Sequence, residues 1–229
     1  MNKLVIKDLT YSYFDDNHEN VVLDNINAEF ESGKVYAIVG ESGSGKTTLL
    51  SLISALDNLQ KGDILWNNKS IKKIGNQEFR LKFVNIVFQS FNLINYMTAR
   101  ENVEVAVDIA GIEDKDHKKA YEALKSVGID KVKADRTVLK LSGGEQQRVA
   151  ITRSIVGNVP IVVADEPTGN LDKKTEGNIL EIFLELAHEQ DKCVIIVTHS
   201  PKVASIADVI YEMEDGKLRL KTSKNKKGK

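Results

Sequence analysis

The chain has 229 residues, of which 41% are hydrophobic and 28% are charged, and its formal net charge is −1. This length allows one large domain or two small ones with a buried core, and the near-neutral balance gives no basic surface of the kind that binds nucleic acid. The single cysteine, Cys193, excludes an internal disulfide and is expected to be a buried apolar residue. No segment approaches the roughly 18 apolar residues of a membrane span, so we expect a protein that is soluble when isolated.

The first part of the chain alternates strands with one glycine-rich loop. Segments 4–14 and 21–31 predict two strands, and a turn at Ser32-Gly33 follows the second. The nearly continuous apolar run KVYAIVG predicts a strand buried on both faces. After the glycine loop, apolar residues recur at the spacing of a helix, at Leu49, Leu50, Ile53 and Leu56.

The rest of the chain continues this alternation around one helical block. GDILWNNKSI predicts a hairpin, and FVNIVFQ predicts a further strand. From about 91 to 149 the strand signals thin out, and two amphipathic segments that stop at Gly111 and Gly128 predict helices. PIVVADEP and KCVIIVTHS predict buried strands with a helix between them, and VIYEMEDGKLRL predicts a final hairpin. This order predicts an α/β fold with a mainly parallel core sheet.

A phosphate-binding loop is predicted next to the third strand. Gly40, Gly45, Lys46 and Thr47 match the pattern of glycine, four residues, glycine, lysine and a hydroxyl residue. The glycines allow positive φ and leave room for a ligand, so successive N–H groups and a helix N-terminus converge on an anion. We expect Lys46 to bridge the β- and γ-phosphates and Thr47 to ligate Mg²⁺. A flexible linker is the alternative. The predicted cradle comprises Gly40, Glu41, Ser42, Gly43, Ser44, Gly45, Lys46, Thr47 and Thr48.

Two adjacent acids, Asp165 and Glu166, end the apolar strand IVVADE. Because the burial of charge is costly, such a pair at the end of a strand needs a specific reason. We expect Asp165 to hold Mg²⁺ through water and Glu166 to polarise the water that attacks the γ-phosphate. A pair of solvated loop acids is the alternative.

The stretch LSGGEQQRVAITRSIV contains a second anion-binding pattern. Ser142, Gly143 and Gly144 open a predicted helix whose apolar face includes Val149, Ile151 and Ile155. A serine and two glycines at a helix start present unpaired N–H groups to an anion, as the first loop does. On its own, SGG would be an ordinary helix cap. Together, the two motifs predict two phosphate sites in one chain.

With these motifs the chain resembles, over nearly its full length, the nucleotide-binding subunits of ATP-binding-cassette (ABC) transporters. The resemblance implies ATP and Mg²⁺ as cofactors, ATP hydrolysis, and a P-loop NTPase fold whose RecA-like core sheet is joined by an antiparallel β subdomain and an α-helical subdomain. A single domain is expected over 1–229. The core and β subdomain are placed at about 1–90 and 150–220, the helical subdomain at about 91–149 and a basic tail at 221–229. The tail is expected to be disordered and solvated, with contact to an anionic membrane surface as the alternative.

The resemblance also explains why one chain carries two phosphate sites. In the family two subunits pair head to tail, and each ATP lies between the glycine loop of one subunit and the LSGGE segment of the other. The loop at Asn170, Leu171 and Asp172 matches the NLD loop that crosses the dimer interface, which assigns Asp172 to the nucleotide site. The residues that correspond to LSGGE and contact the partner's ATP are Ser142, Gly143, Gly144 and Glu145.

Three further positions match functional residues of the family. Tyr13 matches the aromatic ring that stacks on adenine, and Tyr11 is the weaker alternative. Gln89 matches a glutamine that reaches Mg²⁺ and couples to the membrane partner. His199, in VTHS, matches a histidine that contacts the γ-phosphate, whereas a lone histidine after a strand is usually structural. The resemblance thus implies a catalytic set of Lys46, Gln89, Glu166 and His199.

Five stretches indicate which group within the family the chain resembles: VGESGSGKTTLL, SALDNLQKGDI, FQSFNLI, LSGGEQQRVAI and ADEPTGNLD. Together they resemble the group that contains macrolide-export and lipoprotein-release ATPases and bacitracin-type exporters. The resemblance implies an ATP-dependent homodimer held at the cytoplasmic face of the membrane by a permease with an extracytoplasmic domain. The groove for a permease helix is expected in the block after Gln89, starting at SFNLINYM. Export of an antimicrobial peptide or antibiotic is the expected function; lipoprotein release and a regulatory or signalling role are the alternatives.

An ABC ATPase that acts on DNA or the ribosome is a rival of a different class. DNA-repair members carry a long coiled coil between the two phosphate motifs, and translation factors usually carry two cassettes. Here the insertion is short and there is one cassette, so we expect no nucleic-acid partner. A nucleotide kinase is excluded by LSGGE and by the histidine after the last core strand.

Overall fold

Strands and helices alternate through most of the computed structural model, which describes residues 2–15, 18–169 and 171–223. Within these ranges, no helix combines the length and apolar character needed to cross a membrane. The strands are β1 (Lys3–Asp15), β2 (His18–Glu31), β3 (Lys34–Val39), β4 (Lys61–Trp66), β5 (Lys69–Ser70), β6 (Val84–Val87), β7 (Ile161–Asp165), β8 (Cys193–Thr198), β9 (Val209–Glu214) and β10 (Lys217–Ser223). The helices are α1 (Lys46–Ile53), α2 (Ile71–Ile74), α3 (Asn76–Lys82), α4 (Ala99–Ile109), α5 (Lys118–Ser126), α6 (Lys131–Ala134), α7 (Gly143–Ile155), α8 (Lys173–His188) and α9 (Pro201–Ile206).

The strands form two sheets that confirm the predicted fold class. The core sheet has the order β10-β9-β3-β8-β7-β6, in which β9, β3, β8, β7 and β6 run parallel and β10 is antiparallel to β9. The second sheet, β2-β1-β4-β5, is antiparallel throughout. Every residue of β8 is buried, including Cys193, because helices or the second sheet cover both faces of the parallel strands.

Three apolar clusters hold these layers together. The first lies between the core sheet, α1 and the antiparallel sheet; the second lies between the core sheet, α8 and α9. The third joins α4, α5 and the residues around them. Helix α7 serves two clusters at once, because Val149 is buried in the third and Ile151 in the second. The division into subdomains with boundaries near 91 and 149 stays a prediction.

The structure corrects the prediction in two places. Helix α1 ends at Ile53, since Ala55 adopts a left-handed φ of 54°, and Leu56 is therefore not on its buried face but 46% exposed. The predicted disordered tail at 221–229 begins inside β10, where Lys221 forms an ion pair with Glu212 at 2.6 Å. Residues 224–229 lie outside the described part of the chain.

Several short helices were not predicted from the sequence. Helices α2, α3, α6 and α9 have four to seven residues each, too few for a clear apolar period. Packing stabilises them instead: Ile71, Ile74 and Phe79 of α2 and α3 are buried in the first cluster.

One glycine of the antiparallel sheet provides a test of this packing. Gly62 has φ +78°, and a Cβ there would lie 2.4 Å from the carbonyl oxygen of Asp8, at the bulge of β1. Gly128 has nearly the same φ, +77°, but a Cβ there would meet nothing within 4 Å. We expect Gly62→Ala to lower the free energy of unfolding by about 1–3 kcal/mol more than Gly128→Ala, as measured by urea titration. Equal losses for the two variants would show that only backbone conformation matters at Gly62.

Candidate functional site

The carboxyl ends of the parallel strands bring most of the predicted site residues together. Val39, the last residue of β3, pairs with Thr198 of β8, and Asp165 at the end of β7 pairs with Val197. The loops after these strands therefore open onto one edge of the sheet, where they surround a cleft of about 610 Å³. The cleft is lined by Val22, Gly40, Glu41, Ser42, Gly43, Gly45, Lys46, Thr47, Thr48, Gln89, Asp165, Glu166 and His199.

The glycines of the loop have different physical roles. Gly43 has φ +80°, and a Cβ there would meet nothing within 4 Å, so conformation alone calls for glycine at this position. Gly40 does not adopt a positive φ, contrary to the prediction for the loop glycines. A Cβ at Gly40 would lie 2.2 Å from the carbonyl oxygen of Met213, so this glycine lets the loop pack against β9.

The loop ends at the N-terminus of α1, which is suited to bind an anion. Gly45 is the N-cap residue with φ +103°, no side chain caps the helix, and its first turn contains no acidic residue. The unpaired N–H groups and the positive end of the helix dipole thus remain available to a phosphate.

Lys46 is bound to its own loop in this structure. Its Nζ donates hydrogen bonds to the carbonyl oxygens of Gly40, at 2.9 Å, and Glu41, at 2.6 Å. These bonds hold the ammonium group against the glycine loop, where phosphate charge is expected.

Asp165 and Thr47 bring two oxygen donors together in the cleft. Burial of the Asp165 carboxyl and the adjacent charge of Glu166 raise its pKa, while Lys46 and a hydrogen bond with Thr47 oppose the rise. A hydroxyl and a carboxylate in hydrogen-bond contact are the hard ligands that Mg²⁺ prefers. The donor set therefore fits the predicted metal, which would also stabilise the charged form of Asp165.

Glu166 is held in a fixed position by three hydrogen bonds. Its Oε2 accepts from the Thr198 hydroxyl at 3.0 Å, and its Oε1 accepts from the backbone N–H of His199 at 2.9 Å and contacts His199 Nδ1 at 2.7 Å. Glu166 also has a φ of 43°, in the left-handed region that is strained for a residue with a side chain. The carboxylate is thus positioned by both its backbone and its neighbours.

His199 points one ring nitrogen at Glu166 and leaves the rest of its side chain exposed. The side chain is 74% accessible, although Nδ1 lies against the carboxylate. A neutral ring that donates from Nδ1 has only a lone pair at Nε2, so contact with a phosphate oxygen requires a proton on Nε2. The Glu166 contact therefore controls which nitrogen of His199 is a donor.

Gln89 and Tyr13 lie at the margins of the cleft. Gln89 is exposed, and its Nε2 would lie 3.1 Å from a Cβ built on Gly169, in the loop after the two acids. The Tyr13 hydroxyl is 3.4 Å from Thr48 Oγ1, and its ring meets that of Tyr11 edge-on, with 5.2 Å between centroids. Tyr13 is 47% exposed whereas Tyr11 is half-buried, which favours Tyr13 as the ring available to a base.

The structure does not bring the second phosphate motif to this cleft. Ser142 caps α7 in a capping box: its Oγ accepts from the N–H of Glu145, and the Glu145 carboxylate accepts from the N–H of Ser142 at 2.8 Å. Lys133 binds the same carboxylate at 3.0 Å, and these contacts lower the pKa of Glu145. Asn170 lies outside the described residues. The predicted residues that do not line the cleft are Tyr13, Ser44, Ser142, Gly143, Gly144, Glu145 and Asp172.

Two residues of the site were missed by the sequence prediction. Thr198 binds Glu166 directly, and the only signal for it was its place before His199 at the end of an apolar strand. Val22 lines the cleft from β2, a strand far from the glycine loop in sequence, and its carbonyl oxygen lies 2.8 Å from a Cβ built on Gly45. No pattern of neighbouring residues in the sequence predicts such a contact.

Comparison with known proteins agrees with this geometry. Residues 23–169 match the model of the family described as "ABC transporter". The chain belongs to the ABC transporter family. It is an ATP-binding subunit of that family, and it hydrolyses ATP with the help of Mg²⁺.

Individual relatives resemble this ABC subunit over most of their length. The uncharacterized ABC transporter ATP-binding protein YclH of Bacillus subtilis is 45% identical over 91% of this chain and 93% of its own. The lipoprotein-releasing system ATP-binding protein LolD of Rickettsia bellii is 38% identical over 95% and 97%. Among solved structures, a dimeric post-hydrolysis state of the ATP-binding cassette MJ0796 bound to ADP and Pi superposes with a TM-score of 0.87, at 35% identity, over 96% of this chain and 98% of the other.

The Lys46 contacts lead to a binding prediction. We expect Lys46→Ala to weaken nucleotide binding roughly tenfold to a hundredfold, because hydrogen bonds from a charged donor contribute about 1.5–3 kcal/mol. Equilibrium titration with a fluorescent ATP analogue and Mg²⁺ measures the change. The control is Lys125→Ala, which removes an exposed lysine on α5 and is expected to bind like the parent. Parent-like affinity of Lys46→Ala would contradict the assigned role of this lysine.

Proposed function

We propose that this subunit hydrolyses ATP in a head-to-tail homodimer and thereby drives a membrane permease. The observation that carries the proposal is that the two phosphate motifs of one chain lie in different places. The cleft holds the glycine loop and the acids, while the exposed Ser142 end of α7 lies outside it. Two copies related by a twofold axis would supply both halves to each nucleotide. The dimeric form of the cassette MJ0796 supports this arrangement.

Within the proposed site, the loop amides and Lys46 bind the phosphates and the acids prepare the attack. Mg²⁺, held by Thr47, Gln89 and Asp165, would neutralise charge on the β- and γ-phosphates. The Glu166 carboxylate has lone pairs beyond those that accept from Thr198 and His199, and a turn of the His199 ring toward the γ-phosphate would free a further one on Oε1 for water. Glu166 then orients that water and takes its proton as the water oxygen bonds to the γ-phosphorus, while the bond to the β-phosphate oxygen breaks to give ADP and phosphate.

A groove on another face of the subunit supports permease binding. It encloses about 320 Å³ between α3 and β6 on one side and α4 and α7 on the other. Leu81 and Ile109 line it and are 46% and 64% exposed, an unusual exposure for large apolar side chains. Arg153 also lines it, and burial lowers the pKa of its guanidinium. The groove therefore suits an amphipathic helix that carries an acidic residue.

The walls of this groove differ from the sequence expectation. Segment 90–97 does not line it; residues from both before and after Gln89 do. A helix seated in the groove would thus touch the core sheet and the helical block together, and any rotation between them would move that helix.

We further propose that the permease carries an extracytoplasmic domain, that the subunit is held at the cytoplasmic face of the membrane, and that the cargo is an antimicrobial peptide or antibiotic. The group resemblance of the sequence motifs supports this cargo. Lipoprotein release is the second candidate, favoured by the 38% identity with a LolD protein over 97% of that protein. Isolation of the permease that co-purifies with this subunit, followed by transport assays with each cargo in proteoliposomes, separates the two. A partner with no membrane span would refute the permease proposal.

The proposed dimer leads to a trapping prediction. Glu166→Gln keeps the side-chain shape but removes the negative charge, so we expect ATP turnover to fall at least about 100-fold while an ATP-bound dimer accumulates. Light scattering with ATP and Mg²⁺ measures the mass, and ADP in place of ATP is the control. A variant that stays monomeric with ATP would contradict the head-to-tail mechanism.

The groove leads to a second prediction. We expect Ile109→Asp to abolish co-purification with the permease, because a carboxylate would have to be desolvated in an apolar contact. Val132→Asp is the matched control, since Val132 is 67% exposed on α6 and lies outside the groove. Both variants should still bind ATP. If Ile109→Asp assembles as the control does, the permease binds elsewhere.

A further inference from the structure

The two glycines at the start of α7 have different surroundings. Among the residues that the structure describes, a Cβ on Gly143 would meet only Cζ of Phe91, at the ordinary contact distance of 3.8 Å. A Cβ on Gly144 would lie 2.3 Å from Cγ2 of Thr175, in the first turn of α8 of the same chain. Both glycines belong to the helix, so the backbone at Gly144 does not require glycine. Space does: the methyl group of Thr175 leaves no room for a Cβ there.

Thr175 cannot make room for a Cβ at Gly144 by turning its side chain. Its Oγ1 donates to Asp172 Oδ2 at 2.6 Å, and its backbone N–H donates to Asp172 Oδ1 at 3.1 Å. A β-branched side chain whose hydroxyl is bound in this way has one χ1 rotamer, which directs the methyl group at Gly144. Rotation would break the hydrogen bond to a charged carboxylate.

We infer that Thr175 is a positioning residue that holds the Asp172 loop and the Ser142 end of α7 in one rigid arrangement, with Gly144 as the surface on which its methyl group packs. The inference rests on the proposed head-to-tail dimer, in which both segments act on the partner's ATP. Thr175 itself does not line the cleft. It ensures that the two segments reach the partner as a single preorganised unit, and binding then costs less conformational entropy.

The packing of Thr175 on Gly144 predicts how substitutions at these two positions change the melting temperature of the isolated subunit. We expect Gly144→Ala to lower the melting temperature by about 5 °C, the shift typical of overpacking by one methyl group in a chain of this size. Gly143→Ala, the matched control, should not lower it. Thr175→Ser removes Cγ2 and leaves the nearest atoms to the new Cβ at 3.3 and 3.4 Å. The double variant Gly144→Ala/Thr175→Ser should therefore recover most of the loss.

The positioning role is tested in the Glu166→Gln background by the affinity of the ATP-dependent dimer. Thr175→Val keeps the methyl contact but loses the hydrogen bond to Asp172, and we expect it to weaken the dimer roughly tenfold. Thr175→Ser keeps the hydroxyl and should dimerise like its parent. Binding of ATP to the monomer should be the same for both, because Thr175 does not line the cleft, whereas a general loss of structure would lower it.

Each outcome decides a separate claim. Equal melting temperatures for the two alanine variants, or no recovery in the double variant, would refute the packing of Thr175 on Gly144. Equal dimer affinities for Thr175→Val and Thr175→Ser would refute the positioning role. A Glu166→Gln subunit that never dimerises would instead refute the proposed function, and with it any role of Thr175 across an interface.

Discussion

The parallel pairing of β3, β7 and β8 is the constraint on which the rest of this structure depends. Parallel strands in matching register end at the same edge of the sheet, so the residues that follow them are brought together without any designed contact between their side chains. Gly40 follows β3, Glu166 follows β7 and His199 follows β8. If the register of one strand moved by a single residue, its loop would lose alignment with the other two and the cleft would no longer join loop and acids.

The groups in this cleft are bound to one another rather than left free. Lys46 binds carbonyl oxygens of its own loop, and Glu166 binds Thr198 and His199. These bonds satisfy charged groups that would otherwise be partly buried and unpaired. A phosphate that enters the cleft would compete with the loop carbonyl oxygens for the Lys46 ammonium group, so nucleotide binding and a change in the Lys46 contacts are coupled.

Helix α7 runs from the second phosphate motif to the proposed permease groove. Its buried residues pack on the core sheet and on the helical block, Arg153 near its end lines the proposed permease groove, and its Ser142 end carries the second phosphate motif. A force applied in the groove would therefore act on the same helix whose other end carries the second phosphate motif. The close approach of Gly144 to Thr175 adds α8 and the Asp172 loop to this rigid path.

The sequence by itself determined the α/β class, the glycine loop, the two acids and the family. Each of these is recognised from residues that lie close together in the sequence. A buried strand has an apolar run, a phosphate loop has glycines at fixed spacing, and neither needs distant residues to be recognised. Tertiary structure alone decided the short helices α2 and α3, the outward turn of Leu56, the part that Thr198 and Val22 play in the cleft, and the reasons for Gly40 and Gly144. Apart from the turn at Leu56, which follows from the φ of Ala55, these depend on atoms that lie far apart along the chain and close in space, such as Met213 beside Gly40 and Thr175 beside Gly144. No local pattern encodes a distance between segments that only folding brings together.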